Sequence, residues 1–221
     1  MTRKARVGTA TLLALGICGQ EARSQSSTDF GVRLGLTAST IRFEDPATDG
    51  QTGVLGGLHA GVLVLHDVGR RLSVEAGLQV AREGFGSGGA HTGDLHQDRI
   101  AVPLLLQVRT THRFSLHATA GLTGKLTLRC RQVDVHGVGD VPCGDPVMGA
   151  SWRRIDLAGV GGLGVSVPWA SRTLATDARI VWGLRNLDGG LFIPGSARSL
   201  SVEISFTIFS PWKHADAGGD L

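Results

Sequence analysis

From Phe114 to Cys130 the chain alternates almost without a break. Phe114, Leu116, Ala118, Ala120, Leu122, Leu126 and Leu128 take turns with Ser115, His117, Thr119, Thr123, Lys125, Thr127 and Arg129, and only Gly121 and Gly124 interrupt the scheme. Period two is the side-chain period of a β-strand, so this segment has one apolar and one polar face. It also runs well past the ~5 to 6 residues of an ordinary globular strand. A chain built this way must place two different surroundings on the two sides of one sheet.

The pattern recurs seven more times. Val32, Leu34, Leu36 and Ala38 alternate with Arg33, Gly35 and Thr37, and Leu58, Ala60, Val62 and Val64 with His59, Gly61 and Leu63. Leu72 to Val80 alternates with Ser73, Glu75, Gly77 and Gln79, and Ile100 to Val108 with Arg99, Ala101, Pro103, Leu105, Gln107 and Arg109. Ile155, Leu157, Leu163 and Val165 oppose Arg154, Asp156, Ala158 and Ser166. Leu174, Ala178, Ile180, Trp182 and Leu184 oppose Asp177, Arg179 and Arg185, and Leu200 to Ile208 opposes Ser201, Glu203, Ser205 and Thr207. The sequence therefore predicts eight strands.

The connections between these strands interleave by length. They are Ser39 to Gly53 (15 residues), His66 to Arg70 (5), Glu83 to Gln97 (15), Thr110 to Arg113 (4), Cys130 to Ser151 (22), Pro168 to Arg172 (5) and Asn186 to Ala197 (12). In an up-and-down sheet this gathers every long loop at one end and every tight turn at the other, with both chain ends on the short-turn side. The chain has 33 glycines in 221 residues, about twice ordinary usage, but no Gly-X-Y period, and its 42% apolar content is too high for a disordered chain.

The N-terminus reads as a leader. Arg3, Lys4 and Arg6 precede an apolar stretch from Val7 to Cys18, and Ala22-Arg23-Ser24 is a small-x-small cleavage site. Residues 1–24 are expected to be a cleaved signal peptide, 25–29 a short lead-in, 30–210 the barrel and 211–221 a periplasmic tail. Removing the leader leaves 18 basic against 18 acidic residues, which gives no footprint for nucleic acid. It also leaves only Cys130 and Cys143. In an exported chain, with no CxxC spacing, these are expected to form a disulfide rather than a metal or redox site.

Size decides which face meets which surroundings. One face carries Leu, Val, Ile, Phe and Ala with almost no charge; the other carries long charged residues interspersed with Gly and Ser. A membrane barrel turns the apolar face to lipid and self-paired charges to its lumen, whereas a secreted soluble barrel does the reverse. The first arrangement is favoured. The fold expected is all-β, an eight-stranded antiparallel up-and-down transmembrane β-barrel with long extracellular loops and short periplasmic turns. The lumen polar network is then Arg33, Glu75, Arg109, Lys125, Asp156, Asp177, Arg179 and Glu203. Within it, Glu203 is expected to pair with Arg179 and with Arg33 across the closing seam, and Glu75 with Arg109.

Five segments in order then carry a resemblance. Gly31-Val32-Arg33-Leu34-Gly35-Leu36-Thr37-Ala38-Ser39-Thr40, Gly57-Leu58-His59-Ala60-Gly61-Val62, Leu72-Ser73-Val74-Glu75-Ala76-Gly77-Leu78, Ile100-Ala101-Val102-Pro103-Leu104-Leu105-Leu106 and the Gly-rich stretch from Gly159 to Gly164 resemble the small porin-like outer-membrane β-barrel proteins of Bacteroidetes-type bacteria. The resemblance covers most of Phe30 to Ser210 and implies an eight-stranded outer-membrane barrel. Two features depart from the family's pattern. There is no Tyr for an interfacial girdle, and Ser210 to Leu221 continue past the last strand, leaving Phe206 and Phe209 just inside it.

Reactive constellations are few. His91, Asp94, His96 and Asp98 lie within eight residues, but in a Gly-rich loop that imposes no ligand geometry, so a solvated loop is the preferred reading. No Gly-x-Ser-x-Gly elbow accompanies the histidines, and the glycines of Gly159-Val160-Gly161-Gly162-Leu163-Gly164 lie mid-strand with no following helix. The expectation is therefore no catalytic residue, no metal and no cofactor. The role expected is structural or surface-interacting, with side chains plugging the lumen and the loops free for binding. The partners expected are outer-membrane lipid and an extracellular ligand or protein at the loops, with no nucleic acid, and the chain is expected to be a monomer. The alternatives are a small porin or channel, a secreted ligand-binding barrel, or an outer-membrane lipid-modifying enzyme.

Overall fold

The computed structural model describes residues 27–43, 52–87, 94–110, 114–133, 140–143, 154–184 and 197–211. Nine strands form among them: β1 (Thr28–Phe43), β2 (Thr52–Asp67), β3 (Leu72–Ser87), β4 (Asp94–Arg109), β5 (Ser115–Val133), the two-residue β6 (Val141–Pro142), β7 (Ile155–Trp169), β8 (Arg172–Gly183) and β9 (Ala197–Pro211). Every pairing is antiparallel, and β1 pairs with both β2 and β9 while β4 pairs with β5. The eight long strands thus close on themselves, and β6 is a short addition to the far end of β5. Closure leaves the barrel no exposed edge.

The register is staggered. Followed strand by strand from Thr37, it passes through Glu203, Arg179, Gly162, Thr119, Gln107, Ser73 and Asp67. It then reaches Ser27, whose carbonyl accepts the Asp67 amide, ten residues back from the start. Such a shear tilts the strands, as closure of a small barrel requires. Residues at one height therefore come from different register rows, and this decides which charges can meet.

The faces fall as the alternation predicts. Leu163, Phe206, Leu58 and Leu34 point outward with 69%, 64%, 67% and 61% of their surface exposed. A soluble protein does not leave an apolar surface of this extent in water, so this is the lipid face and the secreted-barrel alternative falls. Phe114 and Trp169, both exposed at the short-turn end, supply aromatic surface there in a chain without Tyr. Arg33, Glu75, Gln79, Lys125, Asp156, Asp177 and Arg179 are buried in the lumen.

The strands run further than the sequence suggests. β1 to β4 have 16 residues each, where ~9 to 11 suffice to cross a bilayer. The intervals between long strands are accordingly 8, 4, 6, 5, 21, 2 and 13 residues, still alternating long and short. The largest correction is at Glu83 to Gln97, expected to be a loop. Inward alternation continues through Glu83 and Phe85 on β3 and Leu95 and Gln97 on β4, all buried, and the two strands stay paired through these residues. Asp94, His96 and Asp98 consequently stand on the outward side of β4 rather than in a loop, and His91 lies outside the described residues. The expected leader (1–24) and the tail beyond Pro211 also lie outside them.

Candidate functional site in the barrel lumen

The lumen is filled in layers. At the short-turn rim the Asp67 carboxylate accepts bonds from Ser27 Oγ and Ser73 Oγ, both at 2.7 Å, and from Arg109 Nη2 at 2.6 Å. Just inside lies an apolar layer of Leu63, Leu65, Ala175 and Phe209. Leu105, Ala158, Val160 and Val181 form a second apolar cluster against the wall.

The central tier is organised by Glu75. Arg33 donates to it through Nη1 at 2.7 Å and Nη2 at 3.0 Å, and Arg179 through Nη1 at 3.0 Å and Nη2 at 2.9 Å. One carboxylate is thus clamped by two bidentate guanidiniums, the geometry in which Arg–carboxylate pairs are strongest. Asp177 completes the tier. It lies 3.6 Å from Arg33 and 3.5 Å from Arg179, and His117 Nε2 bonds its Oδ1 at 2.7 Å. Arg33 Nε also donates to Thr207 Oγ1 at 3.0 Å. The two arginines and two carboxylates balance, as burial of charge demands.

A second tier sits toward the long-loop end. Glu83 accepts Lys125 Nζ at 2.6 Å and Arg99 Nη1 at 2.8 Å, and Arg99 also donates to Gln97 Oε1. Asp156 stands beside them, 3.4 Å from Ser199 Oγ. Above the tier Ile41, Phe85 and Leu95 form an apolar cap, and Cys130 and Cys143 pack against it. These cysteines are joined in a disulfide, as the sequence predicts.

The expected network residues do not all meet as expected. Glu203 faces Arg179 in the Cα register, yet Arg179 reaches across the lumen to Glu75 instead, and Glu203 is half-buried with no ion pair within 4 Å among the described residues. Arg33 likewise turns to Glu75, on a strand two removed from its own. Arg109 joins Asp67, not Glu75. Glu83, Arg99 and Asp67 join the network beyond the expected set. Their signal was parity: Glu75, Gln79 and Glu83 are four apart and so share one face of β3, as Arg99 and Gln107 do on β4.

Glycines let the ring side chains sit low against the wall. A Cβ at Gly35 would fall on the His59 imidazole, and one at Gly164 on that of His117. His117 Nδ1 has no hydrogen-bond partner among the described residues, so the His117–Asp177 pair is not extended by a hydroxyl that could act as a nucleophile.

With this geometry in hand, comparison with known proteins is decisive for the family. The family model for the outer membrane protein beta-barrel domain matches residues 19–189. The chain belongs to that family. It is an outer-membrane protein. Among solved structures, the outer membrane protein OprG from Pseudomonas aeruginosa is similar at 12% identity and a TM-score of 0.51, covering 86% of this chain and 98% of that one. The outer membrane protein AlkL, solved in DMPC bilayers, is similar at 12% identity and a TM-score of 0.50, covering 91% and 98%. At such identities the likeness concerns the fold. No curated protein matches the chain in sequence.

Proposed function

We propose that this outer-membrane barrel is a structural and surface-interaction protein whose lumen is closed to solutes and whose long loops face outward for binding. The observation that carries the reading is the stack of two ion-pair tiers, around Glu75 and around Glu83, beneath the apolar cap of Ile41, Phe85 and Leu95. Eight strands enclose a space just wide enough for side chains, and here paired charged side chains occupy that space. The same tiers argue against a pore, because moving a solute through would separate ion pairs in a low-dielectric interior. They argue against catalysis too, since the central groups bond one another and, among the described residues, no nucleophile joins His117 and Asp177. The chain acts as a monomer with membrane lipid around its apolar band and an extracellular ligand or protein at its loops.

Planar-bilayer recording of the purified full-length barrel tests this. No stable unitary conductance is expected. Reproducible open-channel steps that persist when the protein is shown folded by its heat-modifiable gel mobility would overturn the closed-lumen reading in favour of a small porin.

A further inference from the structure

The lipid-facing wall is not smooth. Between Val54 and His59 the β2–β3 register shifts by one residue, so residues 55–58 oppose only residues 82–84, a bulge of the kind that bends a wall and re-aims side chains. Gly56 lies in the bulge, and a Cβ there would meet nothing within 4 Å. The result is an outward groove of about 930 Å³ walled by Leu34, Leu36, Leu58, Val80, Ile204 and Phe206. At the long-loop end of this groove is a second recess of about 310 Å³, lined by Arg82, His96, Arg129, Arg131 and the carboxylates Asp98 and Asp140. Gly56, Arg82 and Asp98 line both, so the apolar groove opens directly into the charged recess.

The charged recess is built to present cations. Arg82 donates through Nε to Asp98 Oδ1 at 2.9 Å, a bond that uses neither terminal nitrogen, while its side chain stays 67% exposed. Arg129 is the register partner of Asp98, and Arg131 lies 3.7 Å from Asp140 with 46% of its side chain exposed. Three guanidiniums against two carboxylates leave net positive charge at the upper margin of the apolar band. Guanidinium forks match phosphate oxygens bidentately, and acyl chains match the groove below.

We propose that groove and recess together bind one phosphorylated glycolipid of the outer leaflet, with an acyl chain along Leu34, Leu58 and Phe206 and phosphate on Arg82, Arg129 and Arg131. This rests on the reading that the long loops face outward: the recess is at that end, and the leaflet there is built of phosphorylated glycolipid. Three arginines in one recess suit a headgroup with more than one phosphate better than a single phosphodiester.

The test is native mass spectrometry of the detergent-solubilised full chain titrated with bisphosphorylated lipid A, dephosphorylated lipid A and phosphatidylglycerol. Folding of every variant is checked by heat-modifiable gel mobility. Bisphosphorylated lipid A should bind about ten-fold or more tightly than either other lipid, and the Arg129→Glu/Arg131→Glu double variant should lose that advantage. Gly56→Phe, placed where a side chain meets open space, should fill the groove and weaken lipid A by several-fold, whereas Arg71→Glu at the opposite rim should change nothing. Wild-type affinity in the double variant, an equal loss with Arg71→Glu, or equal binding of phosphatidylglycerol overturns the proposal. Orientation is read separately by maleimide labelling of Ser171→Cys in intact cells. No labelling is expected; labelling would put the short turns outside and refute the outward-loop reading, even if lipid A still bound the purified barrel.

Discussion

Removing the carboxylate of Glu75 should be the most damaging single change in the lumen. Glu75 accepts four N–H bonds from Arg33 and Arg179. Without it those two guanidiniums share Asp177 alone, at 3.6 and 3.5 Å, and the tier carries an uncompensated positive charge. Breaking a buried pair by deleting one partner costs about 3–5 kcal/mol, and here two guanidiniums lose their bidentate partner at once, so Glu75→Ala should fall at the upper end of that range. Glu203→Ala supplies the contrast. With no ion pair within 4 Å among the described residues, it should cost less than about 1 kcal/mol, in the range of weakly coupled charges. The assay is equilibrium urea unfolding in lipid vesicles, with gel mobility as an independent measure of the folded fraction. In the double variant Arg33→Met/Glu75→Gln, the remaining Arg179–Asp177 pair is balanced, so part of the lost stability should return. A Glu75→Ala barrel within about 1 kcal/mol of wild type, or one more stable than Glu203→Ala, would show that Glu75 does not organise the lumen.

Other outcomes follow from single features. Gly164→Ala should place a methyl on the ring that bonds Asp177 and cost about 1–3 kcal/mol as overpacking, measured by the same urea titration. Gly124→Ala, where a Cβ meets nothing within 4 Å, should be neutral or stabilise by about 0.4–1 kcal/mol through the unfolded chain. Thiol labelling of the native, unreduced protein should find neither Cys130 nor Cys143, and reduction should cost about 3 kcal/mol on the chain-entropy estimate; labelling of both would contradict the bond. Arg109→Ala at the partly exposed rim, where Ser27 and Ser73 still bond Asp67, should cost no more than about 1 kcal/mol.

The strands were legible because two surroundings impose opposite demands on consecutive residues. Leu34 and Arg33 could not exchange places without putting charge in lipid, nor Leu78 and Gln79 without putting an unpaired amide there, so the alternation is written directly into the chain. The disulfide was legible for a similar reason: an exported chain with two cysteines flanking its longest loop offers few other uses for them. The ion-pair partners were not legible. Reasoning from adjacent strands joined Glu203 to Arg179, but long side chains in a narrow lumen reach past their neighbours, and Arg33 on β1 and Arg179 on β8 both arrive at Glu75 on β3. Which residues share a height depends on the ten-residue stagger, a property of the closed ring that no single strand records. Glu83 is hard to place from the sequence because the apolar outward residues give out near it, at Gly84 and Gly86, before the inward packing does.

The seam between β1 and β9 fixes an order of events. It pairs Asp29 with Pro211 at one end and Phe43 with Ala197 at the other, so the first strand to leave the ribosome waits for the last. Until then both strands carry a free row of amide and carbonyl groups. Hydrocarbon offers those groups no partner, and another unfinished sheet offers a wrong one. Insertion and closure must therefore coincide, and the chain has to cross the periplasm with its ends held apart from other sheets. A copy truncated before Ala197 would lose more than one stave: it would keep two open edges, with no stable halfway state in the membrane.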